Sequence, residues 1–423
     1  MAIFYNLIFL LVSLVFLPLY LFKGKFHKGF SLRLGILPKG LKFNRPVWIH
    51  AVSVGEAATI KGLLAQLRND FPQKQFVIST VTPTGNQIAK SLAREKDFVT
   101  YLPLDFSFIV QKVFRQINPE IAIIAETEIW PNLISVLFKK KIPIIIINGR
   151  ISDHSFRGYL AIKLFLKPVL NKVTFFCVQS PRDKERLSAL GVAEEKIKVT
   201  GNMKFDVSLP AANQLIPQGR IKEILGLKAG DRLFIAASTH SGEEEIILSA
   251  YQALLKNFPA LKLLIAPRHP QRSKEIAAKI ADAGFNPFFL SKINIDTTEG
   301  SQAKVFLLDT VGQLTSFFQA ADLVFMGGSL IKKGGHNILE PAGLNKPVIF
   351  GPQMFNFRDI ATLFLDSQAA ILVHCAEEIA QKAKYLFEHP EKVKEMTVIA
   401  QKLIAQNQGA TERNRKIIRD LLA

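Results

Sequence analysis

Residues 47–56, VWIHAVSVGE, run from a stretch apolar except for His50 (47–52) into a Ser-Val-Gly-Glu turn, and an amphipathic stretch (56–69) follows. An apolar run without polar alternation is a strand buried on both faces, the signature of a parallel sheet covered by helices. Gly55 suits a tight strand-to-helix turn. The unit recurs at 76–80, 121–125, 142–147 and 175–179, with a helical stretch such as 84–94 between runs. The rhythm restarts after residue 220, at 233–237, 261–266, 305–308, 323–326 and 347–350. Between the two series, 207–220 (VSLPAANQLIPQGR) is polar with two prolines and reads as a linker. The pattern predicts two doubly wound α/β domains, 46–206 and 221–423, with a cleft between them.

The rest of the composition narrows the class. The chain has 423 residues, 48% hydrophobic and 21% charged, so extended disorder is excluded. Two Cys, Cys177 and Cys375, exclude a disulfide framework and a cysteine-built metal site. His50, His240, His269 and His336 lack metal-ligand spacing, so no metal is expected. Lys plus Arg number 54 against 35 Asp plus Glu, a net charge of +19, which calls for an anionic partner.

Residues 2–22 carry no charge and, as a helix, would be about 30 Å long, enough to cross a hydrocarbon core. Residues 23–45 then carry seven Lys or Arg and no acid, which places that flank in the cytoplasm and draws it to anionic headgroups. The expectation is a retained N-terminal membrane helix (1–22), a basic juxtamembrane segment (23–45) and catalytic domains on the cytoplasmic face. The helix is expected to act as a tether. A buried or in-plane helix is the competing reading, kept open by Asn6, Ser13 and Pro18.

Four stretches hold polar residues where open α/β sheets bind ligands, after strand ends. Glu56 closes the first; it reads equally as a helix N-terminal acid. Glu126 and Glu128 of ETEIWPN (126–132) would point the same way if extended; a solvated loop or a cap for the helix at Pro131 is the alternative. Lys204 lies in TGNMKFD (200–206). The fourth set is spread over the second half: STHSGEEE (238–245), PRHPQR (267–272), DTVGQL (309–314) and MGGSLIKKGGHNILEPAG (326–343). There Gly334 and Gly335 would let backbone approach a ligand, and the following helix would offer N–H groups to a phosphate. Arg268 could pair with the same anion, and Glu340 could accept from sugar hydroxyls. No GxxxxGK[ST] or GxGxxG occurs.

The ordered series HAVSVGE, TPTG, ETEIWPN, TGNMKFD, STHSGEEE, PRHPQR, MGGSL–GGHN–LEPA and GPQMFNF resembles the Kdo (3-deoxy-D-manno-octulosonic acid) transferases, over essentially the whole chain. The resemblance implies a GT-B glycosyltransferase of two Rossmann-like domains, acceptor on the first and nucleotide on the second, with the last helix able to pack back on the first. It implies CMP-Kdo as donor, lipid IVA as acceptor, the inner membrane as location, and neither metal nor nucleic acid as partner. By motif, Glu56 matches the general base, and Glu126 and Lys204 match transition-state stabilisers. Pro267, Arg268, Val311, Gly312, Gln313, Asn337, Ile338, Leu339 and Glu340 match CMP-contacting segments. Gln313 stands where relatives often have an acid and Ile338 where a proline is frequent. Two other readings stay open: a GT-B enzyme using a UDP-sugar, which preference for UDP over CMP would reveal, and a non-enzymatic binder of anionic lipid or nucleic acid, which has no use for carboxylates at successive strand ends.

Overall fold

The computed structural model describes residues 5–7, 9–11, 13–15, 29–206, 215–292 and 303–422. The chain forms two compact units: Met1–Asp206 with Asn407–Ala423, and Val207–Gln406. The stretch read as a linker, 207–220, falls mostly outside the described residues, and its last part opens the helix Gln218–Ile224.

The first unit is built on β1 (Val47–His50), β2 (Phe76–Thr80), β3 (Phe98–Tyr101), β4 (Ile121–Ala125), β5 (Ile144–Gly149), β6 (Phe175–Val178) and β7 (Ile197–Val199). All neighbours are parallel, in the order β3-β2-β1-β4-β5-β6-β7. The central strands are buried along their whole length and mostly apolar because both faces are covered. Trp48, Ala122, Ile124, Ile144 and Ile146 enter one core, and Ile49, Ile121, Ile123, Ile145 and Ile147 the other. The first core takes the helices Ser107–Ile117 and Pro131–Lys139, with Trp48 stacked on Phe114 at 4.3 Å and donating Nε1–H to Ser79 Oγ at 2.7 Å. The second takes Val54–Asp70 and the C-terminal helix Ala410–Leu422, whose Ala410, Ile418 and Leu422 are buried there. Arg415 grips Asp70 through two nitrogens, at 2.6 and 2.5 Å. The chain order reverses between β1 and β4, so this is the sheet's switch point.

The second unit repeats the plan with β8 (Leu233–Thr239), β9 (Lys262–Pro267), β10 (Pro287–Phe289), β11 (Val305–Leu307), β12 (Leu323–Met326), β13 (Val348–Phe350) and β14 (Ile371–Leu372). Their order is β10-β11-β9-β8-β12-β13-β14, and the switch point lies between β8 and β12.

The membrane segment read at 2–22 lies partly outside the described residues, as does the basic segment up to residue 28. Residues 5–7, 9–11 and 13–15 are helical. Among the described residues no helix is long and apolar enough to cross a membrane.

Candidate functional site

The first unit gathers three acids and a lysine at its switch point. Glu56 sits in the first turn of Val54–Asp70, directly beyond β1, and is 8% exposed. Val52 N–H donates to its Oε2 at 2.7 Å and the Ser53 hydroxyl to its Oε1 at 3.1 Å. The carboxylate therefore closes its own turn, and the reading as a helix N-terminal acid holds together with the placement at the strand end. Burial pushes its pKa up to about 7, with Glu126 and Glu128 adding to the rise and the Val52 and Ser53 bonds opposing it. Burial wins, which leaves a carboxyl poised between its two protonation states near neutrality. Gly55, expected to open the turn, is part of the helix; the extended Ser53 makes the turn.

Glu126 follows β4 with φ +58, a left-handed backbone that costs a non-glycine residue about 1–2 kcal/mol. Its N–H bonds Ile147 O at 2.8 Å. The segment is thus not extended at Glu126, which corrects the geometry expected for Glu126 and Glu128. The two still interact: burial and the Glu126 charge raise the pKa of Glu128. Lys204 Nζ lies 3.8 Å from Glu126 Oε1. Its turn is fixed from two sides. Asn148, itself at φ +53, accepts from Met203 N–H at 3.0 Å, and Asp206 accepts from Gly409 and Thr411 at the start of the C-terminal helix.

The helix at Pro131 is capped by a residue far away in sequence. Asp105 accepts from Asn132 N–H at 3.1 Å and Leu133 N–H at 2.8 Å. Burial lifts its pKa to about 6 against those bonds. The N-terminal turns dock on the same corner. Asn6 accepts from Asn132 Nδ2 at 2.7 Å and donates to Ser107 Oγ at 2.9 Å, while Phe9 meets Phe106 edge-on at 4.9 Å. Neither Asp105 nor Asn6 carries a local sequence signal for this role.

In the second unit the residues matched to CMP lie at or beyond the ends of β9, β11 and β12. Arg268 follows β9, its N–H bonded to Thr239 O at 3.0 Å, and its charge reaches Glu340 and His336. Glu340 accepts from Asn337 Nδ2 at 3.2 Å and from Thr315, and burial raises its pKa. Thr315 lies in the helix Leu314–Phe318, directly after the turn that holds Val311, 85% exposed, Gly312 at φ +87, and Gln313, which accepts from Thr310 Oγ1 at 2.7 Å. Ile338 and Leu339 are buried, so a ligand there would meet their backbone. Two expectations change. Gly334 and Gly335 press against the 354–356 turn: a Cβ on Gly335 would lie 2.1 Å from Met354 Sδ. The following helix, Leu339–Gly343, has five residues, and Leu339 N–H already bonds Asn337 Oδ1. The loops are held instead by Glu243, whose carboxylate accepts from the N–H groups of His240, Gly328, Ser329 and Leu330. Among the described residues no group of three or more His, Cys, Asp or Glu is arranged to hold a metal ion.

The fold is shared widely. A glycosyltransferase from Rickettsia africae superposes with a TM-score of 0.58 at 15% identity, covering 90% of this chain and 99% of the other. A UDP-GlcNAc 2-epimerase from Neisseria meningitidis gives 0.57 at 15% identity, covering 89% and 99%. At that identity only architecture is shared, two parallel-sheet α/β units of the GT-B kind. Sequence goes further. Residues 28–207 match the family model of 3-deoxy-D-manno-octulosonic-acid transferase (kdotransferase). A 3-deoxy-D-manno-octulosonic acid transferase of Haemophilus influenzae is 35% identical over 369 residues, 87% of this chain and 85% of that one. One from Chlamydophila psittaci is 32% identical, covering 92% and 89%. A bifunctional glycosyltransferase/methyltransferase of Fusobacterium nucleatum is 35% identical over 89% of this chain and 58% of that one. On these sequence matches the chain belongs to the Kdo transferase family of glycosyltransferases.

Proposed function

We propose that the chain transfers Kdo from CMP-Kdo to lipid IVA, the lipid A precursor, releasing CMP in lipopolysaccharide synthesis at the cytoplasmic face of the inner membrane. The observation that carries the mechanism is the buried Glu56 carboxyl, raised to about 7 beside Glu126. In its ionised form it accepts the proton of the acceptor hydroxyl. The acceptor oxygen bonds to the anomeric carbon of Kdo, the bond from that carbon to the CMP phosphate oxygen breaks, and the electron pair leaves on CMP. Glu126 offsets the positive charge that builds on the sugar ring, and Lys204, 3.8 Å from it, takes up negative charge on phosphate or the Kdo carboxylate. Arg268, the 311–313 turn and Asn337–Glu340 hold the nucleotide. CMP leaves as a stabilised anion, so this scheme assigns no step to a metal.

The net charge of +19 suits an acceptor with two phosphates, and the apolar N-terminus suits a membrane-held one. The test is mass spectrometry of the product formed by purified protein, CMP-Kdo and lipid IVA, with and without a chelator. A mass gain of one or more Kdo units, unchanged by chelator, is expected. Unmodified lipid IVA, or transfer from a UDP-sugar instead, overturns the reading.

A further inference from the structure

His240 and His336 touch ring to ring in the second unit. Their Nε2 atoms are 2.9 Å apart, and the rings are 5.2 Å between centroids and 4° from parallel. Two Nε2 atoms at that distance share one proton: one nitrogen donates and the other accepts. His269 stands edge-on to His240 at 5.8 Å. His240 is the first residue after β8, and Gly328 is the second after β12, so the pair occupies the switch point, where open α/β sheets take their ligands. Gly328 has φ +66, and a Cβ on it would lie 3.2 Å from the His336 ring and 3.4 Å from His240. A side chain there would crowd the pair.

The groups facing the pair come from three loops. The loop after β8 brings Glu243 and Glu244, both already engaged: Glu243 by four N–H groups, Glu244 by Arg272. The loop after β9 brings Arg268, His269 and Arg272. The loop after β12 brings Lys333, and Glu340 bonded to Asn337 and Thr315. The field at the pair is therefore positive. Burial first, and these cations next, hold His240 at about 4 and His336 at about 3. Both imidazoles are neutral at physiological pH, in a place built to attract an anion.

We propose that the His240–His336 pair is a receptor for the donor's phosphate that takes up a proton as the nucleotide binds. The proposal rests on the reading of this unit as the CMP site. A phosphate beside the rings favours the imidazolium form. One added proton gives both Nε2 atoms a hydrogen, breaks their mutual bond and leaves two donors for the anion. Binding raises the histidine pKa above its free value, so protons are taken up at any pH between the two. The histidine contribution to affinity strengthens as pH falls through that window.

The experiment is isothermal titration of CMP into the full chain at pH 7.5, in two buffers of different ionisation enthalpy, for wild type, His336→Gln and His240→Gln, with cytidine as the phosphate-free probe. The CMP phosphate itself titrates near pH 6. The quantity read is therefore the proton uptake of wild type minus that of each variant. The expected result is a difference of about half to one proton per CMP, none with cytidine, and a wild-type advantage in affinity that grows from pH 8.5 to 6.5. Imidazole nitrogen NMR of wild type, with and without CMP, decides independently of how the variants fold: protonated Nε2 signals support the proposal. CMP binding with equal proton uptake in all three proteins, or with both rings still neutral, overturns the histidine receptor alone. Absence of CMP binding overturns the donor-site reading with it.

Discussion

The side-chain amide of Asn132 donates to Asn6 Oδ1 at 2.7 Å, tying the N-terminal turns to the helix that follows Glu126–Trp130. Asn132 also leans on Asp105, so one corner joins residue 6, residue 105 and the end of the acidic loop. A tether needs no such contact. Beside the expectation that the N-terminus only raises local concentration, the contact supports a second one, that it also braces this corner. A chain starting at residue 23 should transfer more slowly on detergent-dispersed acceptor as well as on bilayers. Asn6→Leu, which keeps the apolar character, should reproduce several-fold of that loss. Initial rates on micellar acceptor check this; equal micellar rates for all three chains would leave only the tether.

Glu56 combines its proposed catalytic position with an unfavourable charge. Glu56→Gln should lower transfer about 10²–10⁴-fold with CMP binding retained. In wild type the base must be ionised, so kcat/KM should rise with pH through about 7. The stability effect has the opposite sign. A carboxyl whose folded pKa lies above its unfolded one stabilises the fold below the unfolded value, and that stabilisation is lost as pH rises through about 7. Thermal unfolding should show Glu56→Gln gaining stability relative to wild type from pH 5 to pH 8. Near-normal turnover of the variant would remove Glu56 from the chemistry.

Glu126 keeps a left-handed backbone at the same strand ends. Glu126→Gly relieves it and Glu126→Ala does not, so the glycine variant should be more stable than the alanine one by about 1 kcal/mol. Both should lose transfer. Lys204→Ala should lose transfer too, and the Glu126→Ala/Lys204→Ala double variant should lose less than the product of the single losses, because the pair at 3.8 Å acts together. Chemical denaturation and steady-state rates separate the two effects.

The sequence read the centre of each sheet well and its rims poorly, for one reason. The strands at 121–125 and 323–326 were placed to the residue, and both are covered on two faces. The four strands it did not yield, β3, β7, β10 and β14, are the sheet edges, and their two to four residues, partly exposed, leave too short a run to read. The site divides the same way. Glu56, Glu126 and Arg268 stand out because polar groups just after apolar runs are visible locally, and Lys204 and Glu340 stand out by the motifs that hold them. Asp105 and Asn148 carry no local signal because their partners lie 27 and 55 positions away in sequence, and Glu243, inside the 238–245 stretch, does not stand out singly because three of its four partners lie 85 to 87 positions away. The glycine pair 334–335 misled because a positive φ reports a turn without saying whether ligand or protein packs against it; here it is Met354 and Asn356.

Arg268 allows the two halves of the proposed reaction to be tested separately. It follows β9 and its charge bears on Glu340 and His336, both in the loop after β12. Arg268→Ala removes a charge-assisted contact to phosphate, on the order of 1.5–3 kcal/mol, which corresponds to roughly 10- to 150-fold in CMP affinity. Arg268→Lys keeps the charge and loses the fork, so it should recover part of that affinity. Val311→Ala removes an exposed side chain from the neighbouring turn and should cost much less, because its contribution there comes from the backbone. Cytidine affinity should be unchanged in all three, since the arginine answers to phosphate and not to the base. Titration calorimetry with CMP and cytidine reads both. A parallel loss for the two ligands would mean that the Arg268 side chain shapes the loop, whose backbone bond to Thr239 the variants keep, and that the phosphate is held by other groups.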